Sequence, residues 1–254
     1  MPQKKYLLVG LTGSGKSTAG NALINKSGEI GKLTKHPFVS SDSADGCTTS
    51  FLSFETETCY VIDTVGFGDP KLHSGRILEQ FRQIMKAMDN KINAVIYVVK
   101  AGKFTNETIE FFKIVQEKVL KNKCNSNSLL LVTHSRKGWV NEQSSNEFVQ
   151  KALSNCNHKY FEFNLAFDDL DFDDENDRIK NLIKRQKSVD SLHEFLNNNQ
   201  FESIDISFIQ SSEFKNAWIT VIVPLVFTVL RMYYPSLAPI IDSVNNYEGE
   251  CPIL

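Results

Sequence analysis

Much of what a chain of this size could be is excluded by what it lacks. Its five cysteines, Cys47, Cys59, Cys124, Cys156 and Cys251, are odd in number and widely spaced, with no CxxC pair. That excludes a disulfide framework and a zinc site, and it reads as the reduced thiols of a cytosolic protein. Net charge is small: 28 Lys and Arg stand against 30 Asp and Glu, giving −2. Such a chain has no overall field to hold it on nucleic acid, so a polyanion must be held by a local site. The first residues, MPQKKYLLVG, carry no long apolar run and no cleavage site, so no signal peptide is expected. There is no internal repeat. At 41% hydrophobic and 23% charged, the composition excludes collagen-like and wholly disordered chains. A length of 254 residues suggests one large domain, or one domain with an appendage.

What is present is an alternation of short apolar runs and helical stretches, the pattern of a mostly parallel α/β sheet. Tyr6 to Val9 reads as a strand, followed by a glycine-rich turn and a helix from Lys16 to Ile24. Residues 26–47 read as a long loop. Phe51 to Phe54 and Tyr60 to Ile62 read as a strand pair, and Arg76 to Met88 has helical periodicity. Ala94 to Val99 and Leu129 to Val132 are nearly continuous apolar runs, as the centre of a parallel sheet requires. Helices are expected over Glu107 to Leu120 and Ser145 to Leu153, with a further strand at Tyr160 to Phe163. Residues 168–177 hold seven acids in ten positions and read as a solvated loop leading into a charged helix. That run lacks the loop glycine and closing glutamate of an EF-hand.

The chemistry concentrates in Gly10-Leu11-Thr12-Gly13-Ser14-Gly15-Lys16-Ser17, a full GxxxxGK[ST] match followed by Thr18. It lies after a strand and before a helix, the context that gives the motif its meaning. Glycines let successive backbone N–H groups turn toward phosphate oxygens at the positive end of a helix. Lys16 adds a cation for the β- and γ-phosphates, and Ser17 offers a hydroxyl to Mg²⁺. Asp63-Thr64-Val65-Gly66 follows a strand, where an acid faces the phosphate side and holds Mg²⁺ directly or through water. Gly66 can bring its N–H close to a γ-phosphate. The DxxG order suits a nucleotide switch better than a metabolic kinase, which would carry an arginine-rich lid. A threonine of DGCTTS should complete the Mg²⁺ shell; Thr48 is preferred to Thr49. Where many GTPases place NKxD, this chain has Thr133-His134-Ser135-Arg136-Lys137, without the aspartate. His134 and Asn164 are the candidates for contact with a purine, and these residues alone leave guanine or adenine open.

GLTGSGKST, DTVGFGD, the strand ending VVKAGKFTNET and the TH dipeptide together resemble the immunity-associated (AIG-type) GTPase family, in the septin-like branch of P-loop GTPases. Lys100 to Glu107 is similar to the GRFTxEE box of that family, and the resemblance spans about residues 4 to 200. It implies a G domain over 1–200 that binds GTP or GDP and self-associates across its nucleotide face when GTP-bound. It also implies frequent membrane attachment through the C-terminus. By position, Gly13, Gly15, Lys16, Ser17 and Thr18 bind phosphates and Mg²⁺. Thr48, Asp63 and Gly66 sense the γ-phosphate, and His134 and Asn164 hold the base. Two residues depart from expectation. Lys103 stands where family members often have an arginine, and lysine cannot fork across two phosphate oxygens. Phe67 stands where Ras-like enzymes orient water with glutamine. Hydrolysis is therefore expected to be slow or partner-dependent, and a GTP-binding membrane scaffold with negligible hydrolysis is the alternative.

The remaining 201–254 read as a helical C-terminal extension. Its apolar run, Ala217 to Leu230, would span roughly 21 Å as a helix, short of a bilayer core of about 30 Å. A buried helix and a monotopic membrane segment are both open readings. The last residues, Cys251-Pro-Ile-Leu254, fit a CaaX box, with Cys251 as the lipidation candidate. No polybasic run precedes it, and one lipid chain alone holds a membrane only marginally. A loose terminus is the other reading. The chain is thus expected in the cytoplasm, and the lipidation reading would add membrane contact through this end.

Overall fold

The computed structural model describes residues 3–25, 37–38, 52–64, 88–165 and 174–210, together with Arg82, Met85, Lys86 and Pro239. Most of the loop 26–47, the residues Thr48, Thr49, Gly66, Phe67 and Cys251, and the run 217–230 lie outside them. Of the helix expected over 76–88, the described Arg82, Met85 and Lys86 are helical.

The strands β1 (Lys4–Val9), β2 (Leu52–Glu55), β3 (Cys59–Asp63), β5 (Ala94–Lys100), β6 (Ser128–Thr133) and β7 (Tyr160–Phe163) form one sheet in the order β2-β3-β1-β5-β6-β7. Only β2 runs antiparallel. Its turn is closed by Thr56, whose hydroxyl accepts from the backbone N–H of Cys59 at 3.0 Å. A small second sheet pairs β4 (Lys91–Ile92) with β8 (Ile204–Asp205).

Apolar side chains on both faces of each central strand produce two cores rather than one. Leu7, Val9, Val95, Tyr97, Val99, Leu130 and Val132 meet Phe112 of α2 (Asn106–Ile114) and Val149 of α4 (Glu147–Asn155). The alternate residues Leu8, Ile96, Val98, Leu129 and Leu131 meet Ala22 and Leu23 of α1 (Lys16–Ile24) and Leu192 and Leu196 of α5 (Glu175–Asn198). Helices thus cover both faces, and α1 and α5 share one of them.

Three local features differ from the sequence reading. The helix expected to continue to Leu120 widens into a π-helix at Val115–Val119, where the N–H of Leu120 donates to the carbonyl of Val115 at 2.8 Å. The wider turn buries Val115, Val119 and Leu120 together. It also leaves Gln116 donating to the carbonyl of Asn155 at 2.8 Å. A short helix, α3 (Trp139–Glu142), interrupts what the sequence presents as loop. The packing also carries past residue 200, where the extension was expected to start. Phe201 and Ile206 are buried, and Asn93 and Asn127 donate to the carbonyls of Phe201 and Glu202.

Cys59, Cys124 and Cys156 are buried thiols outside any disulfide. Burial pushes the Cys124 thiol up to about 12 and raises Cys156 further still. Both thiols should therefore resist alkylation in the native protein at pH 8 and react at once in denaturant, as peptide mass mapping would show. In an unfolded chain these thiols ionise near pH 9. Their contribution to stability is thus complete below that pH and is lost as pH rises toward 12.

Candidate functional site

The loop between β1 and α1 has its shape dictated at three glycines. A Cβ on Gly10 would sit 2.4 Å from the Val98 carbonyl oxygen of the neighbouring strand. Gly13 and Gly15 have φ of +73° and +91°, the left-handed region that side-chain-bearing residues avoid. Gly15 → Ala would also meet Thr133 Cγ2 at 3.1 Å. Gly10→Ala is expected to destabilise the fold by roughly 3 kcal/mol, since backbone cannot give way as a side-chain tip can. Gly13→Ala meets no atom within 4 Å and should lose only the roughly 1–2 kcal/mol of conformational strain. Thermal melts of the two variants test the difference.

Gly15 is the N-cap of α1, no side chain caps this end, and its first turn carries no acid. The positive end of the helix is therefore left for an outside anion. Lys16 is buried and folds back so that Nζ donates to the Leu11 carbonyl at 3.0 Å. Burial lowers its ammonium to about 8, and the carboxylate of Asp63 partly opposes that shift. Ser17 Oγ donates to Asp63 Oδ2 at 2.6 Å. Asp63 ends β3, beside Leu8 in the parallel register, and is fully buried. Its Oδ1 has no hydrogen-bond partner among the described residues. Burial raises its carboxyl, with Lys16 and Ser17 acting the other way. A lysine and an aspartate are thus both held desolvated beneath the loop, and burial penalises the charge of each. Ser14 Oγ is likewise buried without a partner among the described residues. Thr12 at the loop tip is exposed, and Thr18 is half-buried.

Thr133, to which the sequence reading gave no role of its own, ties the loop down. Its hydroxyl donates to the Ser14 carbonyl at 2.7 Å from the end of β6. Thr133 pairs in register with Phe163 of β7, so the residues that follow them, His134 and Asn164, leave the same edge of the sheet side by side. Both are exposed, and His134 holds a left-handed φ of +54°. Lys103 is exposed in the turn between β5 and α2. Part of its segment is structural: Thr105 caps α2 through the N–H of Thr108, and Phe104 stacks on Trp139 at 5.6 Å between ring centres. Of the residues expected at the site, Thr12 to Thr18, Asp63, Lys103, His134 and Asn164 all leave the C-terminal edge of the parallel strands. Thr48 and Gly66 lie outside the described residues.

A parallel sheet with helices on both faces, carrying this loop between its first strand and helix, defines a P-loop NTPase domain of the G-domain type. The chain belongs to the AIG1 family, whose model matches residues 4–212. It is 24% identical over 195 residues to GTPase IMAP family member 8 of Mus musculus, a match covering 72% of this chain and 27% of the relative. The chain thus spans about a quarter of that protein's length. Among solved structures, it is similar to a dimerization-deficient mutant of Toc33 from Arabidopsis thaliana, with a TM-score of 0.48 and 17% identity. That match covers 74% of this chain and 84% of the other. The FeoB G-domain of Methanococcus jannaschii matches with a TM-score of 0.41 and 14% identity, over 80% of this chain and all of its own.

Proposed function

We propose that this chain is a GTPase switch that binds GTP and GDP with Mg²⁺, self-associates when GTP-bound, and hydrolyses slowly or only with a partner. The observation that carries the reading is the 2.6 Å contact between Ser17 and Asp63 beneath an uncapped helix start, with Lys16 buried beside them. The donor set fits a hard divalent cation: a hydroxyl oxygen and a carboxylate whose buried Oδ1 lacks a partner among the described residues. When bound, Mg²⁺ neutralises charge on the β- and γ-phosphate oxygens.

The chain's own groups divide the remaining work. Backbone N–H groups of Gly13 to Thr18, with Thr12 and Ser14 at the loop's turn, surround the phosphates. Lys16 exchanges the Leu11 carbonyl for phosphate oxygens, a stronger acceptor for a desolvated ammonium. Thr48 and Gly66 sense the γ-phosphate, and His134 with Asn164 holds the base. The IMAP relative is a GTPase; for this chain that activity is a proposal.

A second reading, a GTP-binding scaffold on membranes with negligible hydrolysis, is favoured by Lys103 and Phe67. Neither can fork onto a phosphate or orient water. Membrane contact would run through 217–230 and Cys251; among the described residues no helix is long and apolar enough to cross a bilayer. Single-turnover hydrolysis at increasing protein concentration separates the two. A rate that climbs with concentration supports the switch, and a flat, negligible rate supports the scaffold.

A further inference from the structure

Glu162 does something that neither its sequence position nor the family motifs assign. It stands in β7 opposite Val132 of β6, two residues before Asn164. Its carboxylate accepts from the backbone N–H of Gly138 through Oε2 and of Val140 through Oε1, both at 2.6 Å. These are the donors at the start of α3, immediately after the His134–Lys137 segment. Two charge-assisted bonds from one rigid strand therefore fix the far end of the loop whose near end is Thr133, itself bonded to the phosphate loop. The backbone of that loop agrees with an imposed shape: His134, which has a side chain, is held at φ of +54°, and Gly138 supplies the left-handed turn at +86°. Trp139, between the two clamped N–H groups, stacks on Phe104 next to Lys103.

We propose that Glu162 is the positioning residue for base selection: by clamping Gly138 and Val140 it holds His134 at the edge shared with Asn164. The inference rests on the proposed nucleotide site, with His134 at the base. Glutamine is the informative replacement, because its amide keeps one acceptor and turns a donor toward the second N–H. The clamp is then half broken, while β7 keeps its shape.

The experiment compares GDP, ADP and Mg²⁺-tripolyphosphate, a probe with no base, in titrations of the full chain and its Glu162→Gln variant. The expected result is that preference for GDP over ADP falls by about tenfold or more, the equivalent of one lost charge-assisted hydrogen bond. Tripolyphosphate affinity should stay within about twofold of wild type, since the phosphate loop is held by Thr133 instead. Gly138→Ala strains the same loop without touching Glu162, meets no atom within 4 Å, and should lower the same preference. It carries the test if Glu162→Gln does not fold. Unchanged GDP preference in the folded variants overturns the inference, as does an equal loss of all three ligands. A wild-type chain with no preference for GDP over ADP instead overturns the nucleotide reading beneath it.

Discussion

Lys16→Met is expected to lose nucleotide affinity by a factor of about a hundred or more while the empty protein melts at a higher temperature. The loss follows from truncating one partner of a desolvated charge pair, roughly 2–5 kcal/mol. The gain in stability has a separate cause. The Lys16 ammonium is buried against the Leu11 carbonyl, and burial outweighs its attraction to Asp63. A methionine of similar length removes that penalty. At about 2–4 °C per kcal/mol for a domain of this size, the rise should be several degrees. Isothermal titration with GDP and a thermal melt of the apo protein measure the two effects. A variant that binds normally would remove Lys16 from the site, and one that melts lower would mean the buried cation stabilises the empty fold.

Asp63→Asn is the second large effect, and it separates metal from phosphate. The carboxylate is fully buried, and its net upward shift means that the fold penalises its charged form. Asparagine keeps an oxygen to accept from Ser17 Oγ and drops the charge, so the apo protein should again melt at a higher temperature. Nucleotide binding should persist in EDTA at close to the wild-type level. The tightening on adding Mg²⁺, by contrast, should largely vanish, because the amide offers the cation a neutral oxygen without the carboxylate's negative charge. Titration of GDP with and without Mg²⁺ reads this directly. Undiminished Mg²⁺ dependence would move the metal away from Asp63. Both substitutions test one pattern: the groups that burial penalises are the ones proposed to bind.

The parts of this account legible in the sequence are those fixed by spacing over a few residues. Gly10 to Ser17 carries its own geometry, and the strand Tyr160–Phe163 and the helix Lys16–Ile24 fall where the sequence reading puts them. The apolar runs of β5 and β6 could only be strands covered on both faces. What was illegible depends on contacts between distant segments. Thr133 became a support for the phosphate loop only once β6 lay beside β5 and its hydroxyl reached Ser14. Glu162 looks like one more charge in a strand until Gly138 and Val140 are brought against it. The π-helix after Ile114 is set by burying Val115, Val119 and Leu120 at once, which helical periodicity does not foresee. Phe201 and Ile206 enter the core from a stretch whose local composition gives no sign of it.

We propose that the loop around Lys16 and the edge carrying His134 and Asn164 together take guanine nucleotide and couple its γ-phosphate to self-association. One titration tests it most directly: fluorescent GDP and a non-hydrolysable GTP analogue, each challenged with ATP, with molecular mass followed by light scattering. The account predicts guanine-selective binding and a mass increase with the GTP analogue alone. Equal competition by ATP, or a mass that ignores the γ-phosphate, would contradict it.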